Sequence, residues 1–167
     1  MAGVTKTHFV KDQGFPVSDA GSCDLQYPAL MFQPRLIGII VAIGMITQSP
    51  VVFLTMAVLL AWNVLLPRWN PFDALYAILV ARPRGLQMPG PAPAPRRFAQ
   101  GMAATFMLGI GLSLLTGHTV LAVVLEVLLA VALLALIVGR FCLGSHVFHR
   151  FTGARRESIR PESPPAP

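Results

Sequence analysis

Residues 119–139 read TVLAVVLEVLLAVALLALIVG. This is the longest apolar run in the chain, 21 residues broken by one charge, Glu126, and followed by Arg140, Phe141 and Cys142. A helix of that length is about 30 Å long, the thickness of a bilayer's hydrocarbon core. The run predicts a membrane-spanning helix, and the other segments are read outward from it.

Composition agrees. Of the 167 residues, 54% are hydrophobic and only 12% charged, with a mean hydropathy of +0.66. A soluble domain carries about a quarter charged residues. The length suits one domain, an integral membrane protein. The net charge of +6 does not point to nucleic acid, because no basic stripe is interleaved with aromatics; in a membrane protein such an excess marks cytoplasmic loops. Two cysteines, Cys23 and Cys142, make no disulfide framework. The opening thirty residues lack the apolar core of a secretory signal, and Ala2 excludes the myristoylation pattern. The first membrane helix is therefore expected to act as the insertion signal.

The expected fold is an all-α membrane protein: four transmembrane helices as two hairpins, plus one amphipathic interfacial helix. Residues 1–30 read as an N-terminal arm, since Gly14, Pro16, Gly21 and Pro28 interrupt any long helix. It is either a disordered terminus or a strap against a partner. Residues 31–66 form the first hairpin, LIGIIVAIGMI and VVFLTMAVLLAWNVLL around Thr47-Gln48-Ser49-Pro50, with Pro50 opening the second helix. Both runs are short for a crossing. Residues 67–97 hold the interfacial helix and a Pro-rich connector. Asn70, Pro71 and Asp73 supply a helix start, and Phe72, Leu75, Tyr76, Leu79 and Val80 share a face. Residues 98–144 form the second hairpin around Thr116-Gly117-His118, and 145–167 a basic, Pro-rich tail. Phe32-Gln33 before the first hairpin parallels Phe98-Ala99-Gln100 before the second, and the two turns fall at similar distances, so an internal duplication is expected.

All thirteen Lys and Arg residues fall outside the two hairpin turns. With four spans they lie on one side, and the positive-inside rule puts both termini in the cytoplasm of a bacterial inner membrane. Gly101, Thr105, Gly109 and Ser113 recur every four residues, a small-residue face for helix packing.

Few residues offer chemistry. Glu126 is the ionisable group well inside a span, and such groups usually face a partner or cavity. It is read either as a proton site or as a protonated acid bonded to Asn63, Thr105 or Ser113. Cys142, His146 and His149 stand at i, i+4 and i+7 and could ligate a metal, though zinc wants a fourth ligand. No nucleotide loop, catalytic triad or carboxylate pair is present, and no cofactor is expected.

The first hairpin, the segment WNPFDALYAILVARP, the Phe-Ala-Gln entry to the third helix and FCLGS after the fourth together resemble a bacterial membrane domain family of unknown function. Its members have four apolar helices and a terminal Phe-Cys-x-Gly-Cys. The resemblance covers residues 30–150. Occurrence of that domain beside thioredoxin- or rhodanese-like domains implies thiol or sulfur chemistry. Here Cys142 matches the first cysteine of the motif, but Ser145 replaces the second. A Cys-x-x-Cys site needs that second thiol to release a bound partner; Cys23 would have to substitute.

The degenerate motif and the two polar ends on one side lead to an expected non-catalytic role: an accessory or scaffolding subunit of a larger inner-membrane complex, with a respiratory or photosynthetic assembly as host. Its partners would be lipid and other membrane subunits. The alternatives are a thiol- or sulfur-handling protein using Cys142, and a small transporter using Glu126.

Overall fold

The computed structural model describes residues 20–84, 92–139 and 142–152. Within them every element is helical. Helix α1 is Ala20–Thr47 and α2 is Pro50–Leu65. A short 3-10 turn at Pro67–Trp69 leads into α3, which runs Pro71–Tyr76, through a π-helical turn Ala77–Ala81, to Arg82–Arg84. Helices α4, Ala94–Leu115, and α5, Thr119–Ile137, follow, and α6 is Leu143–Thr152.

Three segments are long and apolar enough to cross a membrane: Pro28–Thr47 of α1, α4 and α5. Helix α2 is apolar but has only 16 residues, about 24 Å of helix. The surface explains the composition. Ile46 and Val120 are more than four-fifths exposed, and Val51, Leu65, Val131 and Leu134 are also exposed. Meanwhile Gln33, Asn63, Arg96, Gln100, Ser113 and Glu126 are buried. Apolar outside and polar inside is the arrangement a lipid solvent favours, since a polar group facing hydrocarbon goes unsatisfied. The protein is accordingly built for a membrane.

The main core joins Ile37 and Val41 of α1, Phe53, Met56 and Leu60 of α2, Met107 and Ile110 of α4, and Leu129 of α5. Helix α2 packs chiefly on α4. Gly111 makes this possible: a Cβ there would come within 2.7 Å of the Leu54 side chain. Arg97, in the first turn of α4, donates from Nε (3.0 Å) and Nη2 (2.6 Å) to the Val64 carbonyl, closing the C-terminal end of α2. A carbonyl there has no intrahelical donor, and a guanidinium suits the negative end of the helix dipole.

Three sequence expectations change. The arm was expected to end at residue 30, but α1 already begins at Ala20 and contains Pro28 and Pro34. A proline removes one helical donor; here burial of Ala29, Leu30, Met31 and Gln33 offsets that loss. Second, α4 starts at Ala94, not Phe98, with Pro95 in its first turn. Proline is pre-organised for that place, so the connector ends earlier and Arg96 becomes helical. Third, α3 buries Phe72, Tyr76 and Ala81 and exposes Leu75 and Leu79. The π turn is the reason: its wider i→i+5 spacing brings Ala81 beneath Tyr76 and leaves Val80 only partly covered. Tyr76 packs on Phe32 of α1, ring centroids 5.4 Å apart. The Asn70 start behaves as read: its Oδ1 accepts from the Phe72 N–H at 3.0 Å.

Candidate functional site

At the end of the bundle where α1, α3, α4 and α6 meet, a polar group is closed off from the surface. Gln33 projects from α1. Arg96 and Gln100 stand one turn apart on α4, so both reach the same neighbour. Arg96 Nη2 donates to Gln33 Oε1 at 2.8 Å, and Gln100 Nε2 donates to that same oxygen at 3.1 Å. The second amide atoms, Gln33 Nε2 and Gln100 Oε1, are buried without a protein hydrogen-bond partner. Nearby Asn63, fully buried on α2 one turn after Leu60, has neither amide atom bonded, and the Tyr76 hydroxyl is likewise unbonded. Buried polar atoms left unpaired are costly, and native proteins usually give them water or a ligand.

Asp73 on α3 completes the charges. Its Oδ2 accepts from Asn70 Nδ2 at 2.8 Å. Burial pushes its carboxyl above the ordinary range, while the Arg96 charge and the Asn70 bond pull it down. The Arg96 guanidinium acts electrostatically on both Asp73 and Cys142.

Cys142 immediately precedes α6, and its carbonyl accepts from the His146 N–H at 3.0 Å, so it stands at that helix's N-terminus. It is a free cysteine, partly buried. It lies where two cavities come together. One, of about 80 Å³, is lined by Gln33, Ile37, Leu60, Arg96, Gln100 and Cys142 among others. The other, of about 110 Å³, is apolar, with Met102, Phe106, Leu128 and Gly144 in its wall. Ala99, Ala103, Leu133, Leu136 and Cys142 belong to both.

Helix α6 is held here by two contacts with α4. The Phe98 and Phe148 rings pack at 5.7 Å. Gly144 sits on Ala99 so closely that a Cβ would come within 2.5 Å of the Ala99 methyl. The glycine of the FCLGS segment is therefore a packing requirement, and it fixes the thiol two residues earlier. Chemically, the arrangement places a thiol-bearing residue, at a helix N-terminus, in the wall of the same cavity as a guanidinium. Two amide side chains, Gln33 and Gln100, line the same cavity.

The other sequence candidates are placed as follows. Glu126 is buried on α5 and meets neither Asn63, Thr105 nor Ser113 in a hydrogen bond; instead Gln48 Nε2, from the turn between α1 and α2, donates to both its oxygens at 3.2 and 3.1 Å. The same amide donates to the Met45 carbonyl at 2.7 Å. Gln48 adopts φ +47 to do this. Thr105 and Ser113 bond back to Gly101 and Gly109 carbonyls, 3.0 and 2.7 Å. The small-residue series is split: Gly101 faces Val64 of α2, Gly109 faces Leu125 of α5, Thr105 is exposed and Ser113 buried. Among the described residues, no group of three His, Cys, Asp or Glu side chains is placed to hold a metal. The side chains of Cys23, Ser145 and His149 lie outside the described residues.

The site residues that sequence reading missed are Gln33, Asp73, Arg96 and Gln100 as a group. A signal existed: the parallel Phe32-Gln33 and Phe98-Ala99-Gln100 entries, taken as a trace of duplication, are the two segments whose glutamines bond to each other.

No curated protein and no solved structure matches the chain. A family model described as a domain of unknown function (DUF4395) matches residues 27–152, a stretch that contains every residue of this site, and the chain belongs to that family.

Proposed function

We propose that the protein crosses a bacterial inner membrane four times, as two hairpins, with the Arg-rich end and both termini in the cytoplasm, and handles small thiol or sulfur compounds at Cys142. The single observation that carries this reading is the cavity of about 80 Å³ that Cys142 shares with Arg96, Gln33 and Gln100. A structural cysteine needs no such surroundings. The four-span topology is supported by the thirteen cations outside the turns; α2, at 16 residues, would cross with local thinning of the bilayer or with its flanking residues.

The chemistry that fits one thiol is exchange with a small disulfide. The Cys142 thiolate attacks one sulfur of R–S–S–R′. That S–S bond breaks, a Cys142–S–S–R bond forms, and R′–S⁻ leaves and takes up a proton; no net electrons are gained or lost. With Ser145 in the motif, release of R requires another thiol, from Cys23 or from a second molecule.

The test uses full-length protein in which Cys23 is replaced by serine. Incubation with a small disulfide such as cystamine is followed by intact mass. Formation of one adduct, lost in Cys142→Ala and slowed in Arg96→Gln, supports the reading. Adduct formation at the same rate in Arg96→Gln, or no adduct in the folded protein, sinks it.

The accessory-subunit reading is favoured by one fact, that a Ser stands where the motif has its second thiol. Gentle detergent purification decides for it if a defined set of membrane proteins co-purifies and Cys142→Ala leaves that set unchanged. A transport role for Glu126 would have to work with the Gln48 amide bonded to both carboxyl oxygens.

A further inference from the structure

A second feature lies on the opposite face of α1 and depends on membrane residence alone, not on the thiol chemistry. A groove of about 580 Å³ runs between α1 and α5. Its walls are Gly38, Ala42 and Met45 on one side and Ala130, Leu134 and Ile137 on the other. Small residues at 38, 42 and 130 hold it open, and at Gly38 an added Cβ would already press on Ile137 at 3.1 Å. The wall offers no polar side chain except Arg35, at one end. Arg35 is exposed and, among the described residues, makes no hydrogen bond or ion pair.

Two relations fix the depth of that end. Arg35 is two residues from Gln33, which is bonded to Arg96, so it stands at the charged end of the bundle. From Arg35 to Met45 the helix rises about 15 Å, half the roughly 30 Å hydrocarbon core. An apolar channel one leaflet long, with an unpaired guanidinium at headgroup level, matches an acyl chain below and a phosphate above. Chains lying against a protein surface are common in any bilayer; the arginine is what selects among headgroups, because anionic lipids concentrate near such cations.

We propose that the α1–α5 groove is a binding site for one anionic phospholipid, its acyl chain along Gly38, Ala42 and Ala130 and its phosphate on Arg35.

Native mass spectrometry of the full-length protein tests this, after exchange into detergent carrying equal amounts of a phosphatidylglycerol and a phosphatidylcholine with the same acyl chains. Retention of one phosphatidylglycerol in preference is expected. Arg35→Gln should cut the preference roughly fivefold, the loss of about one surface cation, and leave the thermal midpoint unchanged. Ala42→Phe should displace the lipid by filling the channel. Equal retention of the two lipids by the parent protein overturns the proposal, as does an unaltered preference in Arg35→Gln. Recovery of a lipid-free dimer cross-linked through cysteines placed at Ala42 and Ala130 would instead assign the groove to a second copy of the chain.

Discussion

Gln100 donates its side-chain amide to the carbonyl oxygen of Gln33, 67 residues away, at 3.1 Å, and Arg96 donates to the same oxygen at 2.8 Å. One acceptor thus serves two donors from one turn of α4. Replacing Gln33 by Leu removes the acceptor from both while keeping side-chain volume similar. The expected loss is about 1.5–3 kcal/mol, the range for a hydrogen bond to a charged group. A lowered thermal midpoint in detergent checks it; Gln33→Leu at parental stability would mean that the network is not stabilising.

The two glycines Gly144 and Gly101 sharply differ in what surrounds them. At Gly144 an added methyl collides with Ala99, whereas at Gly101 the nearest atom, on Val64, is 3.8 Å away. Gly144→Ala is expected to cost about 1–3 kcal/mol through overpacking and to make Cys142 more reactive towards a bulky maleimide as α6 lifts. Gly101→Ala is expected to be neutral or to stabilise by up to about 1 kcal/mol, the helix propensity gain. Equal behaviour of the two would refute the packing role of Gly144.

Gln48 adopts a left-handed backbone, φ +47, while its amide bonds Glu126. The two effects of Gln48→Gly oppose each other. Glycine relieves roughly 1 kcal/mol of backbone cost, but the hydrogen bonds to Glu126, about 0.5–1.5 kcal/mol each, are lost. In the parent protein the change should destabilise. In a Glu126→Leu background only the bond to the Met45 carbonyl remains to lose, so the same change should destabilise less than in the parent protein. This difference, read from thermal midpoints of the four proteins, is the signature of coupling. Additive effects would show that the contact contributes nothing.

Burial holds the Asp73 carboxyl above its ordinary value of 3.8, against the Arg96 charge and the Asn70 bond. The unfolded chain ionises near 3.8, while the folded protein keeps the proton to higher pH. Between these two values the folded state binds more protons, so stability falls as pH rises through the window and levels off above it. Asp73→Asn, which cannot ionise, should remove that fall. Thermal midpoints measured from pH 3.5 upward check it, and a parallel decline in the variant would place the titrating group elsewhere.

How much of this could be read from the sequence depends on the range of the interaction concerned. The span at 119–137 follows from apolarity alone, since no polar face competes with it. The Asn70 helix start is local, carried by three neighbouring residues. Arg96 was hidden by its surroundings: among the prolines at 91, 93 and 95 it looked like a connector cation, whereas Pro95 in fact opens α4. Ala81 took the place of Val80 because a π turn changes the period on which facing residues are counted. The Gln48–Glu126 contact joins a turn and a helix 78 residues apart in sequence, and nothing in the local pattern of either announces the other. The glutamine pair was visible as a repeated Phe-Gln theme, but only tertiary structure turns a repetition into a bond.

The close seat of Gly144 on Ala99 has a mechanical consequence. The thiol follows α5 along the chain, yet the nearest rigid attachment of its segment is to α4, through this contact and the Phe98–Phe148 pair. Its position is therefore indexed to the neighbour in space and not to the helix that precedes it in order. A change in side-chain size on α4 at position 99 should therefore move Cys142 at its cavity.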